Sequence, residues 1–157
     1  MPAQGAAAEV TDGPPIERTV AERLGGRRVL GAMPRSQGDV LTLVVNGLPV
    51  GAVDYAIDHG HVSREEVARL VLPARTLSHR RARRERLSAE ESERLIRVLR
   101  SKAVAERAFG SPEAAERWLH RGLAVLGGRT PIDVCGTETG ARLVEQILAK
   151  IEYGAAA

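Results

Sequence analysis

Aromatic side chains are almost missing from this sequence: among 157 residues only Tyr55, Phe109, Trp118 and Tyr153 carry a Phe, Trp or Tyr ring. That scarcity excludes single-strand nucleic-acid readers, which stack successive bases on several rings. Cysteine occurs once, as Cys135, which excludes a disulfide framework and any cysteine-built zinc site. The four histidines, His59, His61, His79 and His120, stand at spacings that form no zinc signature, so neither metal nor cofactor is expected. No apolar run approaches the roughly 18 residues of a membrane-spanning helix. The first ten residues lack the basic start and apolar stretch of a signal peptide. The expectation is a cytoplasmic chain with no membrane partner. Lysine is scarce as well: Lys102 and Lys150 are two of 23 cations, and the other 21 are arginine.

Apolar residues are plentiful at 43%, enough for a packed core. The length suits one ordinary domain or two small ones. The formal net charge of +3 hides an uneven distribution. Residues 75–86 hold six arginines (Arg75, Arg80, Arg81, Arg83, Arg84 and Arg86) against Glu85 alone, a local +5. Residues 101–157 hold seven cations against seven anions and no net charge. A positive field focused in twelve residues attracts phosphates over about 10 Å at moderate salt.

The patterning is helical throughout. Residues 1–15, rich in Ala, Gly and Pro, read as a disordered leader. Ile16, Val20 and Leu24 predict a short helix stopped by Gly25-Gly26, whereas Val29-Leu30-Gly31 is too short to classify. Val40, Leu41, Val44 and Val45 follow helical spacing up to Asn46-Gly47, with a strand left open by their β-branching. Pro49 fits a first helical turn, ahead of Val53, Ala56 and Ile57 on one face, and Gly60 ends that helix.

Ser63-Arg64-Glu65-Glu66 and Ser88-Ala89-Glu90-Glu91 have the form of capping boxes. Leu72-Pro73 breaks the chain between the helix opened by Ser63 and a basic helix anchored by Leu77. Ser111-Pro112-Glu113 and Thr130-Pro131-Ile132-Asp133 each start a further helix. A final helix spans about residues 138–151, with Leu143, Val144, Ile147, Leu148 and Ile151 at helical spacing.

Two short helices joined by a few residues, the second one basic, are the makings of a helix-turn-helix. Arg75, Ser78 and His79 are placed to meet base edges. Arg80, Arg81, Arg83, Arg84 and Arg86 suit phosphates, which position without specifying. The competing view is a helical domain whose arginines simply pair with Glu90, Glu91 and Glu93. Trp118 at helical spacing reads first as core. Tyr153 combines an apolar body with a polar tip, a type favoured at interfaces. Gly127-Gly128 permits unusual backbone, and Arg129 braces that loop or reaches a partner, with bracing slightly ahead.

The blocks Leu126-Gly127-Gly128-Arg129-Thr130-Pro131-Ile132-Asp133, Thr137-Glu138-Thr139-Gly140-Ala141 and Ile151-Glu152-Tyr153-Gly154 resemble the toxin-binding domain of the Xre/MbcA/ParS antitoxins. Phe109-Gly110 and Trp118-Leu119 fall where that family places them, and residues 75–92 resemble its Xre-like helix-turn-helix region. The likeness covers about residues 37–157.

It implies an all-α antitoxin of a type II toxin–antitoxin pair: a leader at 1–36, a helix-turn-helix and dimerisation region at 37–100, and a toxin-binding domain at 101–157. The implied partners are a RES-domain toxin that consumes NAD or uses it for ADP-ribosylation, the operator DNA of its own promoter, and a second copy in a homodimer. Trp118, Gly127, Gly128, Arg129, Thr130, Tyr153, Gly154 and Ala157 would face the toxin. The tail, ending in small residues, would act there mainly through backbone and terminal carboxylate. Val71 stands where the family's turn commonly has glycine, which implies a reshaped turn. A stand-alone transcription regulator is the alternative. An enzyme using His59 or His61 beside Asp54 and Asp58 ranks far behind, for want of a nucleophile or phosphate loop nearby.

Overall fold

Short polar residues mark where several of the helices begin. Ser36, Ser63 and Ser88 each accept the amide three residues on, and Asp39, Glu66 and Glu91 return the bond to the serine's own amide. Each reciprocal cap satisfies donors that a helix start leaves free. Ser111 and Thr130 cap singly, with Pro112 and Pro131 in the first helical position.

A computed structural model describes residues 14–155. Its helices are α1 (Ile16–Arg23), α2 (Gly26–Leu30), α3 (Gln37–Asn46), α4 (Val50–Asp58), α5 (Arg64–Leu70), α6 (Ala74–Arg83), α7 (Ala89–Phe109), α8 (Pro112–Leu119), α9 (Pro131–Val134) and α10 (Glu138–Ala155), with a 3-10 turn at Ala124–Leu126. No strand occurs among the described residues, and the fold is all-α as expected. The run Val40–Val45 is helical because the Ser36–Asp39 cap starts it that way, against the β preference of its valines. Pro49 is the N-cap of α4 rather than part of its first turn. Of the leader expected at 1–36, residues 1–13 lie outside the described residues, as does Ala157, while α1 packs against α7 and Ile16, Val20 and Leu24 are buried in the core.

The 21-residue α7 organises the rest. Its buried stripe of Leu95, Val98, Leu99, Ala103 and Ala105 meets α1, α3, α5, α8 and α10. One core runs through both halves, from Leu24, Val53, Val67 and Leu77 to Leu119, Ile132, Val144 and Leu148. Each fully buried leucine there contributes about 2 kcal/mol. Residues 100 and 101, the expected meeting point of two domains, lie in mid-helix. Arg97 Nη1 donates to Gly136 O at 3.1 Å and Arg100 Nε to Glu145 at 2.8 Å, so side chains before that point hold the elements after it.

The amphipathic α3 departs from this pattern. It buries no residue fully, and Leu41 and Val45 are 62% and 66% exposed. No single helix among the described residues is long and apolar enough to cross a membrane.

Candidate functional site

The helix pair α5–α6 turns at Val71-Leu72-Pro73. Val71 sits at φ −112°, ψ −68°, in the right-handed region, and is buried. The turn therefore needs no left-handed residue, and a β-branched side chain is accommodated where glycine is common. Arg94 Nη1 closes it by donating to Val71 O at 3.3 Å. Buried Leu77 fixes the roll of α6, leaving Arg75, Ser78 and His79, spaced i, i+3 and i+4, exposed.

The arginines have different fates. Arg80 pairs with Glu91 at 2.9 Å and Glu85 at 3.6 Å and is half-buried. Burial pushes the Glu91 carboxyl up, but Arg80 and Ser88 outweigh it and hold it below the usual range. Arg81 forms a two-pronged pair with Asp54 of α4. Arg86 donates to Gly47 O at 2.9 Å. Arg83 comes within 3.8 Å of Glu85. Arg75 and Arg84 form no ion pair with a described residue. The competing view of the cluster thus holds for Arg80 and its partner Glu91, while Arg75, Arg83 and Arg84 remain as cations open to solvent. Arg84, which ends α6, is the non-glycine residue with positive φ (54°) among those described, a conformation costing about 1 kcal/mol.

The C-terminal half presents a different surface. Phe109 and Trp118 pack with ring centroids 5.6 Å apart, and both lie partly buried against the core. Trp118 is therefore partly buried as a packing residue. Gly127 and Gly128 both adopt positive φ, 66° and 83°. Arg129 Nη1 donates back to the backbone Leu126 O at 3.3 Å. Thr130 caps α9 by accepting the Asp133 amide. Tyr153 stands 70% exposed on α10, with Gly154 exposed beside it.

Between the halves lies a charged cluster that sequence reasoning missed. Lys102, 5% exposed on α7, donates to both oxygens of buried Glu66 at 3.0–3.1 Å and lies 3.2 Å from Glu116. His120 Nε2 is 3.2 Å from Glu66. Burial pushes the Glu66 carboxyl up, but the Ser63 amide and the Lys102 ammonium overcome that and hold it low. Glu66, Glu116 and His120 converge as metal ligands can. Here the ammonium already stands where a cation would. The available signal was a lysine in the apolar stripe of α7, in a chain with two lysines.

His59 stacks on Tyr55 with centroids 3.8 Å apart and closes α4 through Tyr55 O. Burial, then Arg23, lowers the pKa of His61. Burial pushes the Cys135 thiol up to about 11, leaving it a core residue.

Known families match the sequence along most of its length. Residues 39–100 match the antitoxin Xre-like helix-turn-helix domain, and residues 104–154 match the antitoxin Xre/MbcA/ParS C-terminal toxin-binding domain. The chain is 32% identical over 125 residues to the antitoxin Xre of Yersinia enterocolitica, covering 78% of this chain and 84% of that protein. It is 37% identical over 84 residues to the antitoxin Xre of Pseudomonas putida, covering 54% of this chain and 53% of that one. It is 33% identical over 95 residues to a protein of Sphingobium named Prs ADP-ribosylating antitoxin, covering 55% and 60%. With a helix-turn-helix whose second helix offers open arginines and a C-terminal helical unit of matching sequence, the chain belongs to the Xre family of antitoxins, a non-enzymatic family.

Proposed function

We propose that this antitoxin neutralises a RES-domain toxin, one that consumes NAD or transfers ADP-ribose from it, by covering the toxin's active site with residues of its C-terminal half, and that as a homodimer it represses its own promoter through α6. The observation that carries the reading is the separation of surfaces. Open cations gather on α6, while the half matching the toxin-binding domain is charge-balanced and displays Val125, Leu143 and Tyr153. ADP-ribosylation in the Sphingobium relative's name supports the toxin class. On α6, Arg75, Ser78 and His79 read base edges, and Arg83 and Arg84 contact phosphates. Arg80 and Arg81 reach phosphate only by exchanging their carboxylate partners. The apolar face of α3 that Leu41 and Val45 leave open supports the homodimer.

Co-expression of the full chain with the RES-domain protein of its operon tests this directly. The expected outcome is co-purification and restored growth; a toxin that kills equally with or without the chain overturns the reading. Leu41→Glu with Val45→Glu is expected to give a monomer by light scattering. A dimer that survives this change does not use α3.

A further inference from the structure

The segment Gly122–Arg129 is a closed loop held almost entirely by its own backbone. Leu123 and Arg129 face each other, with Leu123 N donating to Arg129 O at 3.1 Å, and Gly128 N donates back to Leu123 O at 2.9 Å. Inside that ring, Leu126 N donates to Leu123 O at 3.0 Å and Gly127 N to Ala124 O at 2.9 Å. The left-handed glycines close the turn, and a Cβ at Gly122 would come within 2.7 Å of Gly128 O, so the two ends of the loop touch through glycine. Arg129 adds its guanidinium to Leu126 O. Leu126 is buried, whereas its neighbour Val125 is 65% exposed. The valine is thus held outward by a rigid ring rather than stranded in a mobile stretch.

We infer that Val125 is an apolar anchor that enters a pocket on the toxin, and that Gly127, Gly128 and Arg129 support this tip without touching the partner. The inference rests on the toxin-neutralising reading. Its occupant follows from position, since Val125 lies within residues 104–154, which match the toxin-binding domain. Residues 101–157 carry no net charge, so short-range burial is expected to supply much of the affinity. A valine already fixed in place loses little entropy on docking.

The test uses the full chain and the co-expressed RES-domain toxin, and reads toxin affinity, operator affinity and melting temperature together. Val125→Ala is expected to weaken toxin binding about tenfold and Val125→Asp more than about a hundredfold, with operator affinity and melting temperature unchanged. Wild-type chain that binds toxin while Val125→Asp binds within about twofold of it overturns the anchor and leaves the antitoxin reading standing. Wild-type chain that binds no toxin overturns both. Should Val125→Asp lower the melting temperature, the near-isosteric Val125→Thr decides: binding equal to wild type overturns the anchor. Arg129→Lys is expected to lower melting temperature and toxin affinity together. A loss of affinity at unchanged melting temperature makes Arg129 a contact and overturns its supporting role.

Discussion

Helix α6 and the loop at residues 122–129 both hold side chains out from the core, by opposite means. The helix is placed by a buried leucine and by arginines that spend themselves on Glu91 and Asp54, and what it then offers is leftover charge. The loop is placed by its backbone and offers an uncharged tip. Charge acts at a distance and is screened by salt, whereas an apolar tip acts only on contact and is not. Operator binding through α6 is therefore expected to depend on ionic strength more steeply than toxin binding through the loop.

The comparison breaks most severely at Lys102, which serves both sides. Lys102→Met leaves Glu66 buried without its ammonium and is expected to cost about 3 kcal/mol, seen in denaturant melts. Operator binding and toxin binding should fall together. The double change Lys102→Met with Glu66→Gln, which removes the buried charge but keeps an acceptor for the Ser63 amide, is expected to recover most of the stability. Failure to recover would show that the pair does more than neutralise itself.

Replacing the two phosphate-contacting arginines, Arg83 and Arg84, with glutamine sharpens the comparison. The slope of log operator affinity against log salt should flatten by about 0.9 per arginine lost, while toxin affinity stays level. An unchanged slope removes α6 as the phosphate-binding face.

Acid titration separates the shared cluster from both surfaces. The folded Glu66 carboxyl is held below its ordinary value near 4.5, so its stabilisation is present above that pH and is lost as pH falls through the depressed value. Glu66→Gln should flatten the acid limb of the stability curve, and an identical limb would assign the loss to other carboxylates.

The smallest effect is expected at Arg84. Arg84→Gly relieves the left-handed backbone and should stabilise the fold by up to about 1 kcal/mol, while weakening operator binding by one phosphate contact. A gain in both would place Arg84 off the DNA.

Much of this was legible from residue order. The capping boxes at Ser63 and Ser88, the proline starts at Pro112 and Pro131, and the stripe of α7 are local signals, and they set helix starts where the structure has them. The cap at Ser36 was missed because its fourth residue is aspartate rather than glutamate. The 3-10 turn was missed because three residues show no period. Which arginines remain open could not be read from sequence. Arg81 meets Asp54 across 27 positions, and that pairing exists only once α4 and α6 pack. The Lys102–Glu66 pair spans 36 positions for the same reason. Val125 carried no signal of its own beside the glycines that follow it.

Because α7 runs unbroken through the core shared by the two halves, their relative orientation is a matter of helical phase. A single alanine inserted after Arg100 would turn everything beyond it by about 100° and advance it about 1.5 Å, tearing Arg97 from Gly136 and Lys102 from Glu66. Seven inserted residues would bring the phase back to within about 20° but would slide the faces apart by nearly two turns. The two halves are thus geared to each other through one shaft, and changes of length in that helix cannot be absorbed as they would be in a flexible linker.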